Sequence, residues 1–191
     1  MLIASLAVAG GAGVAAVSQA QNFPVKPMRI VVGFPAGGGT DIATRAVAQK
    51  LSENFGQQVI VENRPGAASN IGAEFVARAA PDGYTIFMGS VSLSINATLY
   101  AKLNYDAQRD FTGVAHAVSA PFILVTHPSV PVKNVKELVA LAKARPGTLK
   151  FTSSGAGTLP HLATELLRYM TKIDLVHVAY KGGGPAMIAL I

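Results

Sequence analysis

Cysteine is absent from the 191-residue chain, and this excludes disulfide scaffolds, thiolate zinc sites and cysteine nucleophiles. Acidic residues are scarce as well. The chain has only 10 Asp and Glu, and no two of them form a pattern that divides into a general acid and a general base. No pair of its four histidines has the i, i+4 spacing typical of metal ligands. The composition argues against an enzyme, and we expect neither a metal nor a cofactor.

Clusters of positive charge are also lacking. The 16 Lys and Arg give a net charge of +6, but they stand singly rather than in runs or in a patch interleaved with aromatic residues. Nucleic-acid binding is therefore disfavoured. A diffuse positive field modestly favours an anionic ligand, although an ordinary soluble basic surface is the simpler explanation of the charge.

Half of the residues are hydrophobic, so the chain is long and apolar enough to bury a core. Residues 1–20 carry no charge, and the first charged side chain is Lys26. Their many alanines and glycines make them weakly hydrophobic for a membrane helix. Ser18 and Ala20 place small residues three and one before a possible cleavage point. The segment predicts a signal peptide at residues 1–20 and a secreted protein.

The rest of the chain alternates short β-rich runs with amphipathic segments, a rhythm typical of a mostly parallel sheet covered by helices. For a first lobe, residues 21–124, we predict helices at 42–56 and 70–80 and strands at 28–33, 58–62 and 84–89. We predict two further strands, at 112–119 and 122–126, near the boundary between the lobes. For a second lobe, residues 125–191, we predict helices at 135–144 and 159–169 and strands at 150–152 and 175–179. The chain ends within an apolar helical stretch, which indicates a truncation inside the second lobe.

A glycine-rich segment, GFPAGGGTD at residues 33–41, lies between a predicted strand and a predicted helix. Thr40 or Asp41 can cap the helix, and the free amides of its first turn attract an anion. A tight structural turn that needs glycine is the alternative interpretation. A nucleotide P-loop is disfavoured because Gly39 stands where its lysine belongs, and the dinucleotide pattern fails at Ile42.

A second such segment, SSGAGT at residues 153–158, again separates a strand from a helix and forms a second anion cradle. His161 follows in the first helical turn, where it either contacts the ligand or packs at the helix start. A serine-hydrolase elbow needs a glycine two residues before the serine, and Phe151 and Thr152 occupy those positions.

Small polar residues follow the third predicted strand, where ligands of open α/β sheets gather. Ser90, Ser92 and Asn96 could supply neutral hydrogen bonds there, whereas Ser94 suits a helix N-cap better. Residues 180–185 form a third glycine turn, either a flexible connector or a segment in which Tyr180 walls a cleft.

Several motifs in one order carry a resemblance: PMRIVVGFPAGGGTD at 27–41, VENRPGA at 61–67, PDGYT at 81–85, SSGAG at 153–157, PHLA at 160–163 and VAYKGG at 178–183. Together they closely resemble the solute receptors of tripartite tricarboxylate transporters, also called the Bug family. The resemblance covers essentially all of the chain after residue 20.

The resemblance implies a periplasmic-binding-protein-like (type II) fold, in which two α/β lobes with mostly parallel sheets close about a hinge over one small solute. It implies a monomeric periplasmic receptor that binds a carboxylate and presents it to a tripartite-type membrane permease. By matching motif it nominates as ligand-binding Phe34, Ala36, Gly39, Thr40, Asp41, Ser90, Ser92, Asn96, Ser154, Gly155, Thr158 and His161.

Members of this family are longer and return to the first lobe after completing the second. We therefore expect the chain as it stands to bind solute poorly, because a cleft needs both walls. The alternative from another class is a small α/β enzyme acting on an anionic substrate, with Ser154 and His161 as its only candidate for a nucleophile and a base.

Overall fold

The computed structural model describes residues 23–191, so the predicted signal peptide at residues 1–20 lies outside the described residues. The first group of elements is β1 Met28–Val32, α1 Gly39–Phe55, β2 Val59–Asn63, α2 Asn70–Ala77, β3 Thr85–Met88 and α3 Ser92–Leu99. A 3-10 turn at Ala67–Ser69 leads into α2. The second group is α4 Val135–Ala144, β4 Lys150–Ser153, α5 Leu159–Thr171, β5 Val176–Ala179 and α6 Gly183–Ile188.

Strands β1, β2 and β3 form one parallel sheet in the order β2-β1-β3. The central strand β1 is the most apolar, and its Ile30 pairs with Val61 on one side and Ile86 on the other. Met28, Ile30, Ala48 and Val59 form the buried core between this sheet and α1. Because the strands are parallel, the loops after all three leave from the same edge of the sheet, where ligands of such sheets bind.

Strands β4 and β5 form a second parallel pair, in which Phe151 is the register partner of His177. Ala142 from α4 packs with Ile173 and Leu175, which precede β5, in a separate core cluster. The two clusters share no residue. The expectation of an α/β chain with mostly parallel sheets is confirmed.

Local sequence explains where several helices begin and end. Gly56 ends α1 in the left-handed conformation (φ 62°), and its N–H donates to Ser52 O, a common glycine C-cap. Asn134 begins α4, and its side chain accepts from Glu137 N, an N-cap of ordinary type. Helix α3 begins at Ser92 after Val91, so the expectation that Ser94 caps it is wrong.

The predicted strands at 112–119 and 122–126 are also wrong, because residues 111–127 carry no regular secondary structure. Their apolar side chains stand in solvent, with Val114 83% and Ile123 78% exposed. A β-rich sequence becomes a strand only when a neighbour takes up its backbone hydrogen bonds, and no described strand pairs with this segment. The predicted boundary between lobes at residues 124 and 125 falls inside this stretch.

Within residues 23–191, no helix combines the length and the apolar character that a membrane crossing would require.

Candidate ligand-binding site

The first glycine turn precedes α1 and is organised by the carboxylate of Asp41. Gly38 is the N-cap of α1, and no side chain caps it. Asp41 is 2% exposed, and its Oδ2 accepts from Gly37 N (2.9 Å) and Arg45 Nε (3.0 Å). Asn63 Nδ2 donates to Asp41 Oδ1 (2.8 Å). Both carboxylate oxygens are therefore engaged by donors of the protein itself, and these bonds hold the turn against the end of β2.

The electrostatics of Asp41 agree with this arrangement. Burial alone raises the pKa of the carboxyl, but hydrogen bonds from Arg45, the Gly37 amide and Asn63, together with the charge of Arg45, outweigh burial and lower the pKa from 3.8 to about 2. The carboxylate stays ionised at neutral pH, and Arg45 lies 3.0 Å away as its counter-ion.

The start of α1 has backbone N–H groups that no helical hydrogen bond uses. The first helical hydrogen bond of α1 runs from Ile42 N to Gly38 O, so the amides of Gly39, Thr40 and Asp41 have no acceptor within the helix. Gly39 and Ala36 are exposed, whereas Phe34 and Thr40 are half-buried. Asn63 Nδ2 also donates to Phe34 O (3.0 Å), which fixes the start of the turn. The site here is a set of amides at a helix start.

A loop that the sequence did not indicate as functional lies beside this turn. Ala67, Ala68 and Ser69 all adopt positive φ (47°, 52° and 81°), a conformation that costs non-glycine residues energy and often marks functional sites. The backbone of Gly33 touches this loop, since a Cβ on Gly33 would lie 2.8 Å from Ser69 Cα and overlap Ser69 Oγ. Only a glycine at position 33 permits the approach. No residue type in the loop signals such a run, which is why sequence reasoning missed it.

Ser92 and Asn96 of α3 are buried, and Asn96 reaches this strained loop. Asn96 Nδ2 donates to Ala68 O (2.9 Å) and to Asn70 Oδ1 (2.7 Å). Tyr105 Oη donates to the same Asn70 oxygen (2.6 Å). Two buried atoms of this cluster, Asn70 Nδ2 and Asn96 Oδ1, have no hydrogen-bond partner in the described part of the chain, which is unusual for buried polar groups and is expected where a ligand or water binds.

Ser90 lies at the start of the same region and is half-buried. Its Oγ accepts from Ser92 N at 3.3 Å, so its present contact is local.

The second glycine turn connects β4 to α5. Thr158 is the N-cap of α5 by position, is 1% exposed and donates through Oγ1 to Gly155 O (2.7 Å). Gly155 and Gly157 have φ of 134° and 79°, which favour glycine. Ser154 is half-buried. Gly157 N donates to His161 Nδ1 (3.2 Å), so His161 packs against the turn that precedes its own helix.

His177 is a second residue that sequence reasoning left out of the site. Its ring stacks on His161, with centroids 4.1 Å apart, and on Phe151 at 4.7 Å. Its Nε2 lies 2.7 Å from Ser153 Oγ. Burial lowers the pKa of His177, the neighbouring His161 and Arg168 lower it further, and Glu165 opposes them. His177 lies here because the register of β4 and β5 places it beside Phe151. That register could not be predicted from the sequence alone.

The three glycine turns (residues 33–41, 153–158 and 180–185), the strained loop (residues 67–69) and Asn96 contact one another in a closed series, which we call the ring of loops. A Cβ on Gly182 would lie 2.8 Å from Pro35 Cδ, so the third turn meets the first. A Cβ on Gly155 would lie 3.5 Å from Tyr180 O, and one on Gly157 3.5 Å from Asn96 Oδ1. The ring closes through the contacts of Asn96 with Ala68 and of Ser69 with Gly33. The first turn, Asn96 and the second turn, which carry most of the nominated residues, are therefore brought together.

Two surface cavities have no residue of the first or second glycine turn in their lining. One, of about 350 Å³, is lined by Tyr100, Tyr105 and their neighbours. The other, of about 370 Å³, is lined by His127, Lys150, Tyr180 and the C-terminal residues. We take the ring of loops as the candidate site because the free amides of the helix starts and the unpaired atoms Asn70 Nδ2 and Asn96 Oδ1 lie there.

The described residues contain no group of three or more His, Asp or Glu with the geometry of a metal site.

Comparisons with known proteins agree with the motifs. The family described as tripartite tricarboxylate transporter family receptor matches residues 43–191. Protein BugT of Bordetella pertussis is 37% identical over 182 residues, which are 94% of this chain and 56% of BugT. The chain thus spans a little over half the length of that relative.

Solved structures are similar as well, each at 88% coverage of this chain. A periplasmic transporter shares 38% identity at a TM-score of 0.81 over 57% of its own length. MatC of Rhodopseudomonas palustris with bound malate shares 32% identity at 0.78 over 57% of its length. Rpa4515 of R. palustris with adipate shares 35% identity at 0.76 over 56% of its length.

The family match covers most of the chain, and the motifs and the fold agree with it. The resemblance is thereby confirmed, and the chain belongs to the tripartite tricarboxylate transporter receptor family, the Bug family.

Proposed function

We propose that the protein is a periplasmic solute receptor that binds a small carboxylate and delivers it to a tripartite-type membrane permease. The observation that carries the proposal is the ring of loops, in which the turns before α1 and α5 are linked through the strained loop and Asn96. Amides at helix starts favour negative charge. Malate and adipate, found in two similar structures, are both dicarboxylates.

The charges of the ring support an anionic ligand. Asp41 is the buried carboxylate of the ring, and its charge is balanced by Arg45 at 3.0 Å. The donors left over are backbone amides, hydroxyls and the buried Asn70 Nδ2. Neutral donors bind a carboxylate without requiring a lysine or arginine in the site, as in other sites where fixed dipoles hold an anion.

The enzyme alternative gains no support from the serines. Ser154, its candidate nucleophile, makes no hydrogen bond with His161 among the described contacts. Ser153 does lie 2.7 Å from His177, a distance suited to a nucleophile and its base. However, Ser153 is 2% exposed and its oxygen also accepts from Gly155 N, so a substrate has no approach to it.

Isothermal titration calorimetry tests carboxylate binding. The mature protein, produced with any sequence that follows Ile191 in the source DNA, is titrated with malate, adipate and the uncharged diamide of each acid. We expect heat with at least one acid and none with the matching diamide, because the site offers donors to a carboxylate. The bound acid should be recovered unchanged after long incubation, as judged by NMR of the ligand. A cooperatively folded protein that binds neither acid, or that converts one to product, contradicts the proposal.

Delivery and location need a cellular measurement. We expect the protein in the periplasmic fraction of cells that make it from its own gene. Deletion of that gene should abolish uptake of the bound acid while the permease is still present. Retention in the cytoplasm, or unchanged uptake, contradicts this part of the proposal.

A further inference from the structure

The buried asparagine pair beside the strained loop leaves one donor and one acceptor unpaired. Asn70 is 8% exposed and Asn96 1%, and Asn96 Nδ2 donates to Asn70 Oδ1 at 2.7 Å. The other polar atoms of the two amides, Asn70 Nδ2 and Asn96 Oδ1, have no partner in the part of the chain that the structure describes. A buried polar atom without a partner is costly, so two of them in one contact indicate a place where another group binds.

One backbone carbonyl fixes the orientation of both side-chain amides. Ala68 O can only accept, so the atom of Asn96 that faces it at 2.9 Å is the nitrogen. The atom of Asn70 that faces Asn96 Nδ2 is then the oxygen, which also accepts from Tyr105 Oη at 2.6 Å. A flip of either amide would set two acceptors or two donors against each other. The unpaired acceptor therefore belongs to Asn96 and the unpaired donor to Asn70.

Asn96 Oδ1 faces the second glycine turn, and the nearest donors of that turn are already used. A Cβ on Gly157 would lie 3.5 Å from this oxygen. The Gly157 amide donates to His161 Nδ1 (3.2 Å), and the Thr158 hydroxyl donates to Gly155 O (2.7 Å). The hydrogen bonds of Asn96 all run to the strained loop and to α2. The second turn thus covers the oxygen without binding it, and a ligand can bind there when the turn moves away.

The two unpaired atoms select the chemistry of the group that fits them. An ionised carboxylate only accepts hydrogen bonds and an ammonium only donates them, so each satisfies one atom of the pair. A hydroxyl group both donates and accepts. Asp41, the buried carboxylate of the ring of loops, already has Arg45 as its counter-ion at 3.0 Å, so its charge is not offered to an ammonium. A hydroxyl group next to a carboxylate fits the pair best.

We propose that Asn96 is a specificity-determining residue that selects 2-hydroxy carboxylates, in which a hydroxyl stands on the carbon next to a carboxylate. The hydroxyl donates to Asn96 Oδ1, and its oxygen or the adjacent carboxylate accepts from Asn70 Nδ2. The strained loop presents the Ala68 carbonyl that fixes this arrangement, and strain of that kind is often retained where it serves function. The inference rests on the proposed function, because it names the class of carboxylate that the site binds.

Calorimetry with acids that differ only by this hydroxyl tests the inference. The mature protein, produced with any sequence that follows Ile191 in the source DNA, is titrated with two pairs of acids, malate with succinate and 2-hydroxyadipate with adipate. We expect the hydroxy acid of whichever pair binds to bind about tenfold more tightly than its plain partner, the equivalent of one buried hydrogen bond. Aspartate, which carries an ammonium in place of the hydroxyl of malate, should bind more weakly than malate.

Asn96→Ala removes the acceptor. The hydroxy acid and its plain partner should then bind with equal affinity. The ratio of the two affinities is the readout, because any loss of stability or of general affinity in the variant affects both acids alike. Asn104→Ala is the matched control, since it removes an exposed asparagine that bonds Glu74 at 3.2 Å, and it should keep the native ratio.

Equal affinity for the two acids of a pair in the native protein overturns the inference, as does tighter binding of aspartate than of malate. A ratio that survives in a folded Asn96→Ala variant also overturns it, and the native comparison decides alone if that variant does not fold. Binding of the acids without a preference for the hydroxyl leaves the proposed function standing. A folded protein that binds none of these acids counts against the proposed function and this inference together.

Discussion

Gly182 lies against the ring of Pro35, so that a Cβ at position 182 would stand 2.8 Å from Pro35 Cδ. Gly182 has φ 129° and ψ 169°, a backbone region open almost only to glycine. This contact joins the turn before α6 to the turn before α1, although the two are far apart in sequence. The third turn can pack this closely against the first turn only because residue 182 has no side chain.

Gly182→Ala should therefore weaken both stability and ligand binding. We expect a loss of roughly 1–3 kcal/mol in the free energy of unfolding from backbone strain, together with weaker binding of malate or adipate because the third turn moves off Pro35. Urea denaturation and calorimetry measure the two effects. Gly183→Ala, where a Cβ meets nothing within 4 Å, is the control, and equal effects of the two changes would contradict the role of this contact.

Gly33→Ala should destabilise the protein through the strained loop. The new methyl group would lie 2.8 Å from Ser69 Cα, and neither backbone can yield easily because Ser69 already has positive φ. Overpacking of this kind costs about 1–3 kcal/mol. Gly39→Ala, in open space on α1, should be neutral or slightly stabilising in thermal unfolding. A Gly33→Ala variant as stable as the native protein would show that the loop is not held as described.

Asp41 should make stability depend on acidity. Its folded pKa of about 2 lies below the usual value of 3.8, so the stability that it contributes is fully present above about pH 4 and is lost as the pH falls from about 4 to about 2. This contribution of Asp41 to the free energy of unfolding is about 2 kcal/mol. Asp41→Asn should lower stability at pH 7 and remove this part of the acid dependence.

Urea denaturation at several pH values measures the effect. Glu53→Gln, at an exposed carboxylate of the same helix, serves as the control. An unchanged acid dependence in Asp41→Asn would mean that Arg45 and Asn63 do not stabilise the ionised form.

Tyr105→Phe removes one hydroxyl from the buried asparagine cluster. Tyr105 is 7% exposed. Without its hydroxyl, Asn70 Oδ1 loses a hydrogen bond of 2.6 Å. We expect a loss of about 1 kcal/mol in the free energy of unfolding. Tyr100→Phe, at a half-buried tyrosine four residues after Asn96, should cost less. A larger loss from Tyr100→Phe in the same denaturation experiment would contradict the assignment.

Much of the fold could be predicted because strand and helix periods are local. The runs that became β1 and α4 were identified from hydrophobic spacing alone, and α4 matches the predicted range of 135–144. Residues 112–119 and 122–126 have equally good β character but no described strand beside them. Pairing is a property of distant residues, which is why local pattern failed there.

The glycine turns of the candidate site could be predicted from the sequence, whereas the strained loop and His177 could not. The turns at 33–41 and 153–158 do adjoin the ring of loops. The positive φ of Ala67 and Ala68 could not be predicted from the sequence, because alanine rarely adopts that conformation. His177 joined the site only through the register that pairs it with Phe151. The role of each nominated residue toward a ligand stays a prediction.

The most direct test of carboxylate binding at the ring of loops is an NMR titration with malate and adipate. It uses the ¹⁵N-labelled mature protein, produced with any sequence that follows Ile191 in the source DNA. We expect the backbone amides of Gly39, Thr40 and Thr158 and the side-chain amide of Asn96 to shift together and to saturate with one affinity. Saturable shifts confined to surface residues outside the ring, or no shift in a folded protein with either acid, would contradict the proposal.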